Sequence, residues 1–165
     1  MAEQKNLLDD LLRRRDEYRE RLSRAKFVVK GSELPLENNR MGNYRWYLYP
    51  WREDTPMRTL LLWVQEIPPG SRSGKQRTAG GRMHYVWQGH GYTIIDDVKY
   101  ELEQDDIVLI PLRPGTGTVH QHFNADPDKM VKLLVAEPNW HDILGLDMGV
   151  KGGFEIIEDS PDYKP

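Results

Sequence analysis

Two rhythms of apolar and polar residues run along this chain. From Asn6 to Lys26, Leu8, Leu11, Leu12, Tyr18, Leu22 and Ala25 fall close to the three-to-four-residue spacing of a single helix face. Asp9/Arg13, Asp10/Arg14, Glu17/Arg21 and Glu20/Arg24 stand four apart with the acid first, the orientation that supports a helix best. The interleaved acids make this a solvated helix face rather than a basic patch for nucleic acid. Its leucine stripe needs cover, from the rest of the chain or across a dimer.

Beyond a connector from Val28 to Asn43, containing Gly31, Pro35 and an Asn-Asn pair, the rhythm shortens to two. The run Tyr44 to Trp51 reads as a strand with Tyr44, Trp46 and Leu48 on one face. Further strands are expected at Leu60 to Ile67, Met83 to Trp87, Tyr92 to Ile95, Lys99 to Leu102, Ile107 to Pro111, Val119 to Phe123 and Met130 to Ala136. Pro68-Pro69-Gly70, Gly89, Gly91, Asp96-Asp97 and the loop Arg113 to Gly117 separate them. Short strands punctuated in this way predict an antiparallel sandwich or barrel. From Asn139 onward a short helix is expected near His141 to Leu144, and Asp159 to Pro165 is expected to fray.

Composition narrows the function. The 165 residues suit one domain with an appended arm. A net charge of −3, from 23 basic and 26 acidic residues, offers no excess to neutralise phosphates, so nucleic acid is not an expected partner. There is no cysteine, hence no disulfide framework and no thiolate ligand or nucleophile. Apolar runs such as Thr59 to Val64 are strand-sized, and the N-terminus lacks the apolar core of a signal peptide. A soluble, cytoplasmic protein with no membrane partner is the expectation.

The candidate chemistry lies in histidine. His120 and His122 alternate on an extended strand, so both face one side, about 6–7 Å apart at ~3.3 Å per residue. Together with His84 they make three of the five histidines, all on apolar strands. Such a set suits a metal with an open position. The plainer reading packs one imidazole in the core and uses another to cap a polar pocket. Trp46, in the aromatic run, is a candidate ligand wall or simply buried area. Gly115-x-Gly117 lacks the further glycine and the helix of a dinucleotide loop, and no nucleophile elbow is present.

Several segments in order resemble a known family. Pro69-Gly70, Tyr85-Val86-Trp87-Gln88-Gly89-x-Gly91-Tyr92, Asp105-Asp106-Ile107-Val108-x-Ile110-Pro111 and His120-Gln121-His122-Phe123-Asn124 look like a cupin, nearest to small barrels related to gentisate-type dioxygenases. The resemblance implies an all-β, antiparallel double-sheet barrel of jelly-roll type, often dimeric, with a metal in its mouth. On that basis the chain divides into an N-terminal helical arm and connector (1–43), a barrel (44–138) and a C-terminal extension packing on it (139–165).

The first motif is degenerate. Where the family places two histidines and a glutamate, this sequence has Gln76, Thr78 and Arg82; only His120 stands at a family ligand position. Two expectations follow. In one, a divalent transition metal (Fe, Zn, Ni or Cu) has moved to His84, His120 and His122, with Gln76 as an outer or fourth ligand, in a dioxygenase-like enzyme for a small aromatic or carboxylated metabolite. His84 lies two residues beyond Arg82 and so shares its inward parity. In the other there is no metal, and Gln76, Arg77, Arg82 and His120 bind an acidic ligand, either without catalysis or with His/Arg-based isomerase or lyase chemistry. His120 and Arg82 are the catalytic candidates, and Gln76, Arg77, Arg82 and Trp46 the substrate-binding ones. A homodimer is expected.

Overall fold

A computed structural model describes residues 6–49, 51–113, 115–140 and 154–165. Helix α1 (Leu7–Arg24) begins at Asn6, whose side chain accepts from the amides of Leu8 and Asp9 and so satisfies two of the first-turn donors. Asp9 and Asp10 in the first turn and Arg21 and Arg24 in the last complement the helix dipole. No α1 residue is buried, and Leu7, Leu8, Leu11 and Leu12 are exposed. The arm touches the body through Arg21, which donates to the carbonyls of Glu53 and Thr55 at 3.2 and 2.7 Å.

After a single 3-10 turn at Gly31–Glu33, the described residues form eleven strands. They are β1 (Glu37–Asn39), β2 (Gly42–Leu48), β3 (Leu60–Ile67), β4 (Lys75–Thr78), β5 (Arg82–Gln88), β6 (Gly91–Ile95), β7 (Val98–Leu102), β8 (Ile107–Ile110), β9 (Thr118–Asn124), β10 (Val131–Pro138) and β11 (Phe154–Glu158). One sheet runs β1-β2-β3-β10-β5-β8 and the other β11-β4-β9-β6-β7, all with antiparallel neighbours. This is the double-sheet barrel that the strand count and the resemblance predicted. Side chains from both sheets, among them Tyr44, Leu61, Trp63, Val86, Leu102, Val108, Ile110, Leu133 and Val135, meet in one core.

Parity explains most of this. Along β5, Arg82, His84 and Val86 are buried while Met83 and Tyr85 are only partly covered and Trp87 is exposed. The β6–β7 hairpin turns on Asp96 and Asp97, both at positive φ (46° and 69°), as a tight right-twisting hairpin requires. At Gly91 a Cβ would lie 2.0 Å from the Phe123 carbonyl oxygen, so no side chain fits where β6 meets β9.

Three strands depart from the sequence reading. β1 is wholly polar and β4 buries Gln76 and Thr78 rather than apolar groups, so neither shows the usual alternation. β11 pairs with β4 in what was read as tail. Asp159 to Pro165 does not fray as expected. The Ser160 amide donates to the Arg40 carbonyl at 2.7 Å, Ser71 Oγ donates to Asp162 at 2.6 Å, and Asn38 donates to the Asp162 carbonyl at 3.0 Å. Chain ends tied down by such bonds stay ordered. The helix expected near His141 to Leu144 lies outside the described residues. No helix among those described is long and apolar enough to cross a membrane.

Candidate metal centre

The three histidines come from opposite sheets. β5 holds His84 between Val135 of β10 and Val108 of the edge strand β8. β9 holds His120 between Gln76 of β4 and Ile95 of β6, and His122 opposite Thr93. Ser73 locks the backbone of His122: its amide donates to the His122 carbonyl at 2.8 Å, and its hydroxyl accepts from the His122 amide at 3.0 Å. The side chains of His84, His120 and His122 retain 1, 0 and 1% of their exposure. Ring centroids are 4.4 Å apart for His84–His122 and 5.5 Å for the other two pairs.

One nitrogen from each ring lies within 4.8 Å of the others. Nδ1 of His84 and both nitrogens of His120 and His122 are buried without a hydrogen-bond partner. Each buried unsatisfied polar group costs about 1–3 kcal/mol, so five together call for an acceptor or a metal that the protein side chains do not supply. All three imidazoles are held neutral. Burial is the largest cause, pushing His84 and His120 well below the ordinary histidine range and His122 down to about 3. Mutual repulsion lowers His84 and His120 further, and the Arg82 charge lowers all three. The Thr118 backbone works the other way on His120, but it approaches without a hydrogen bond of normal geometry.

Neutral imidazole is the ligating form, so the residues fit a divalent transition metal. Two nitrogens each about 2.0–2.1 Å from a common ion can stand at most about 4.2 Å apart, so only small side-chain adjustments separate this cluster from ligation.

Around the cluster the expectations divide. Arg82 is buried on the inward face as its parity required, yet its charge is already met: Nε donates to Glu137 at 2.6 Å and Nη1 to the Gln76 oxygen at 2.7 Å. Its guanidinium also lies 5.1 Å over the Trp63 ring. Gln76 shares the inward face of β4, but Arg77 points outward and pairs with Glu155 at 2.9 Å, away from the histidines. Strand alternation alone sends it there. Trp46 packs on Trp63 and Tyr44 at 5.1 and 5.5 Å, one aromatic layer behind Arg82. His90 is exposed beside Asp126, 3.4 Å away, and is not part of the cluster; His141 lies outside the described residues.

Sequence reasoning missed Glu137 and Ser73. Glu137 follows Arg82 by 55 residues, and only the pairing of β10 with β5 brings them together. Asn124, the end of the second motif, is an anchor: its amide reaches the carbonyls of Ile67, Pro68 and Lys129 at 2.8–2.9 Å.

Two antiparallel sheets closing over the three histidines, of which His120 alone stands at a family ligand position, define the fold class as a cupin barrel. Residues 63–137 match the family model described as a cupin domain. Among solved structures, the polyketide cyclase RemF from Streptomyces resistomycificus aligns at TM-score 0.60 and 16% identity over 83% of this chain and 89% of that one. A cupin-like protein from Thermotoga maritima aligns at 0.55 and 18% over 81 and 90%. Salicylate 1,2-dioxygenase from Pseudoaminobacter salicylatoxidans, solved as a gentisate adduct, aligns at 0.56 and 14% over 74% of this chain but 31% of its own. At such identities the likeness speaks for the fold alone. No curated protein matches the sequence.

Proposed function

We propose that this cupin is a metal-dependent enzyme acting on a small aromatic or carboxylated metabolite through a three-histidine site displaced from the family's usual ligand positions. The observation that carries the reading is the convergence of buried, partnerless imidazole nitrogens from both sheets. A divalent ion of Fe, Zn, Ni or Cu type would be held by His84, His120 and His122 and would supply Lewis acidity or, where redox-active, electron transfer. The chain's own contribution is a dry, rigid donor set. His120 and His122 are spaced by one residue on β9, His84 closes the set from the facing sheet, and burial keeps all three unprotonated at neutral pH.

The aromatic or carboxylated substrate class follows the resemblance of the sequence motifs to gentisate-type dioxygenases, and a dioxygenase solved with gentisate shares the fold. The metal-free reading relied on Arg82 as an open anion receptor. Its pairing with Glu137 weakens that reading, because the guanidinium charge is already compensated.

Total metal analysis of protein purified without an affinity tag tests the proposal. A single divalent ion per chain is expected, and His120→Ala should lose most of it while the far-UV circular dichroism keeps its β-sheet shape. A metal-supplemented preparation holding no stoichiometric ion would overturn the reading in favour of acidic-ligand binding without metal.

A further inference from the structure

Gln76 sits directly opposite His120 in the β4–β9 ladder, 1% exposed and on the inward face. Side chains so paired stand about 4.5–5.5 Å apart at Cβ. A primary amide offers one acceptor oxygen and two donor hydrogens, and here chemistry decides which way it faces. A guanidinium can only donate, so the 2.7 Å contact with Arg82 Nη1 must be made by the Gln76 oxygen. Arg82 is itself immobilised by the Glu137 carboxylate at 2.6 Å and by the rings of Trp63 and Phe154, at 5.1 and 6.0 Å. Gln76 Nε2 is therefore turned away from Arg82, and it is buried with no hydrogen-bond partner. Gln76 stands opposite His120 and Arg82 shares the buried face of β5 with His84, so the Glu137–Arg82–Gln76 chain runs alongside the histidines.

We propose that Gln76 does not ligate the metal but donates a hydrogen bond, through Nε2, to the anionic oxygen of a substrate bound at the three-histidine site. The proposal rests on the metal reading above. The amide oxygen, the only atom of Gln76 fit to coordinate a hard or borderline cation, already accepts from the Arg82 guanidinium, whose positive charge opposes a second cation on the same oxygen. The nitrogen lone pair is delocalised and does not coordinate, so its hydrogens require an acceptor.

Charge gives the acceptor its sign. The described cluster contains three neutral imidazoles and no carboxylate, and Glu137 cancels Arg82. A divalent ion there keeps both of its charges in a low-dielectric cavity, where an incoming anion is favoured strongly. The shared chemistry is an oxyanion, arising from a carboxylate or from a phenolate or enolate.

The test uses full-length, Co(II)-loaded protein titrated separately with benzoate and with catechol, following the Co(II) absorption bands and the heat of binding. A hydrogen bond to a charged group is worth about 1.5–3 kcal/mol, so Gln76→Ala should weaken the favoured anion roughly 10- to 150-fold. Affinity for Co(II) should change by less than about threefold. Gln76→Glu, nearly isosteric, guards against a folding artefact: its second oxygen repels an anion and should weaken the same probe while holding Co(II) at least as well. The probe that loses affinity identifies the oxyanion as carboxylate or phenolate. Unchanged anion affinity in both variants, loss of Co(II) from Gln76→Ala, or wild-type protein that takes Co(II) but neither probe would each overturn the proposal. Wild-type protein that takes no Co(II) would remove the metal reading and this one with it.

Discussion

Arg82 shows how a single neighbour changes what a residue can do. Its charge is matched at 2.6 Å by Glu137, which is itself nearly buried. Removing one member of such a pair leaves the other stranded, at about 3–5 kcal/mol, whereas replacing both with apolar groups is often neutral. Arg82→Met should therefore cost about that much stability in urea denaturation of the apo-protein, and Arg82→Met with Glu137→Leu should recover most of it. A single variant no less stable than the double would mean that the pair carries no such linkage. The histidines make a second prediction. Their folded pKa values lie below the unfolded value of about 6.5, so below that pH the unfolded state binds more protons. Apo stability should be full above pH ~6.5 and fall as the pH drops, by about 1.4 kcal/mol per unit for each histidine still neutral in the folded state. Urea midpoints at pH 7.5, 6.5 and 5.5 read this directly, and a flat profile would contradict it. Folded protein should keep its metal over the same window, since the buried imidazoles stay neutral, and should lose it only as acid unfolds the chain and protonates the freed histidines.

Among the elements, α1 buries none of its residues and meets the body near its last turn, through Arg21. Its leucines Leu7, Leu8, Leu11 and Leu12 stay exposed, and a solitary helix of this length is marginal in water. β8 adds an edge strand whose outward Ile107 and Leu109 are also exposed. Both features argue for self-association. The full chain should run as a dimer by light scattering at high micromolar concentration, and deletion of residues 1–26 should weaken the dimer or lower solubility. A monomeric full-length chain at that concentration sinks the idea. Element by element, apolar periodicity made α1, β3 and the strands from β5 to β10 legible in the sequence. It failed at β4, whose inward positions are Gln76 and Thr78, buried opposite the polar His120 and Thr118 of β9. A strand that builds a site loses the alternation by which strands are recognised.

In the whole molecule, two sheets bring together residues that the sequence keeps 36 to 38 positions apart, His84 with His120 and His122. Strand parity, with the resemblance that set Arg82 on the inward face, put these histidines inside, so the buried cluster could be read before the fold was known. The sequence held no local sign that Glu137 would neutralise Arg82, because that contact depends on the register of β10 against β5. This difference bears on the two functional readings: an unpaired Arg82 would favour an anion receptor, whereas its pairing with Glu137 supports the proposed metal site. Crystals of metal-loaded protein, with anomalous scattering recorded at the ion's absorption edge, test the central claim most directly. The account predicts one strong peak about 2.0–2.2 Å from a ring nitrogen of each of His84, His120 and His122. No peak, or a peak away from these three side chains, would contradict it.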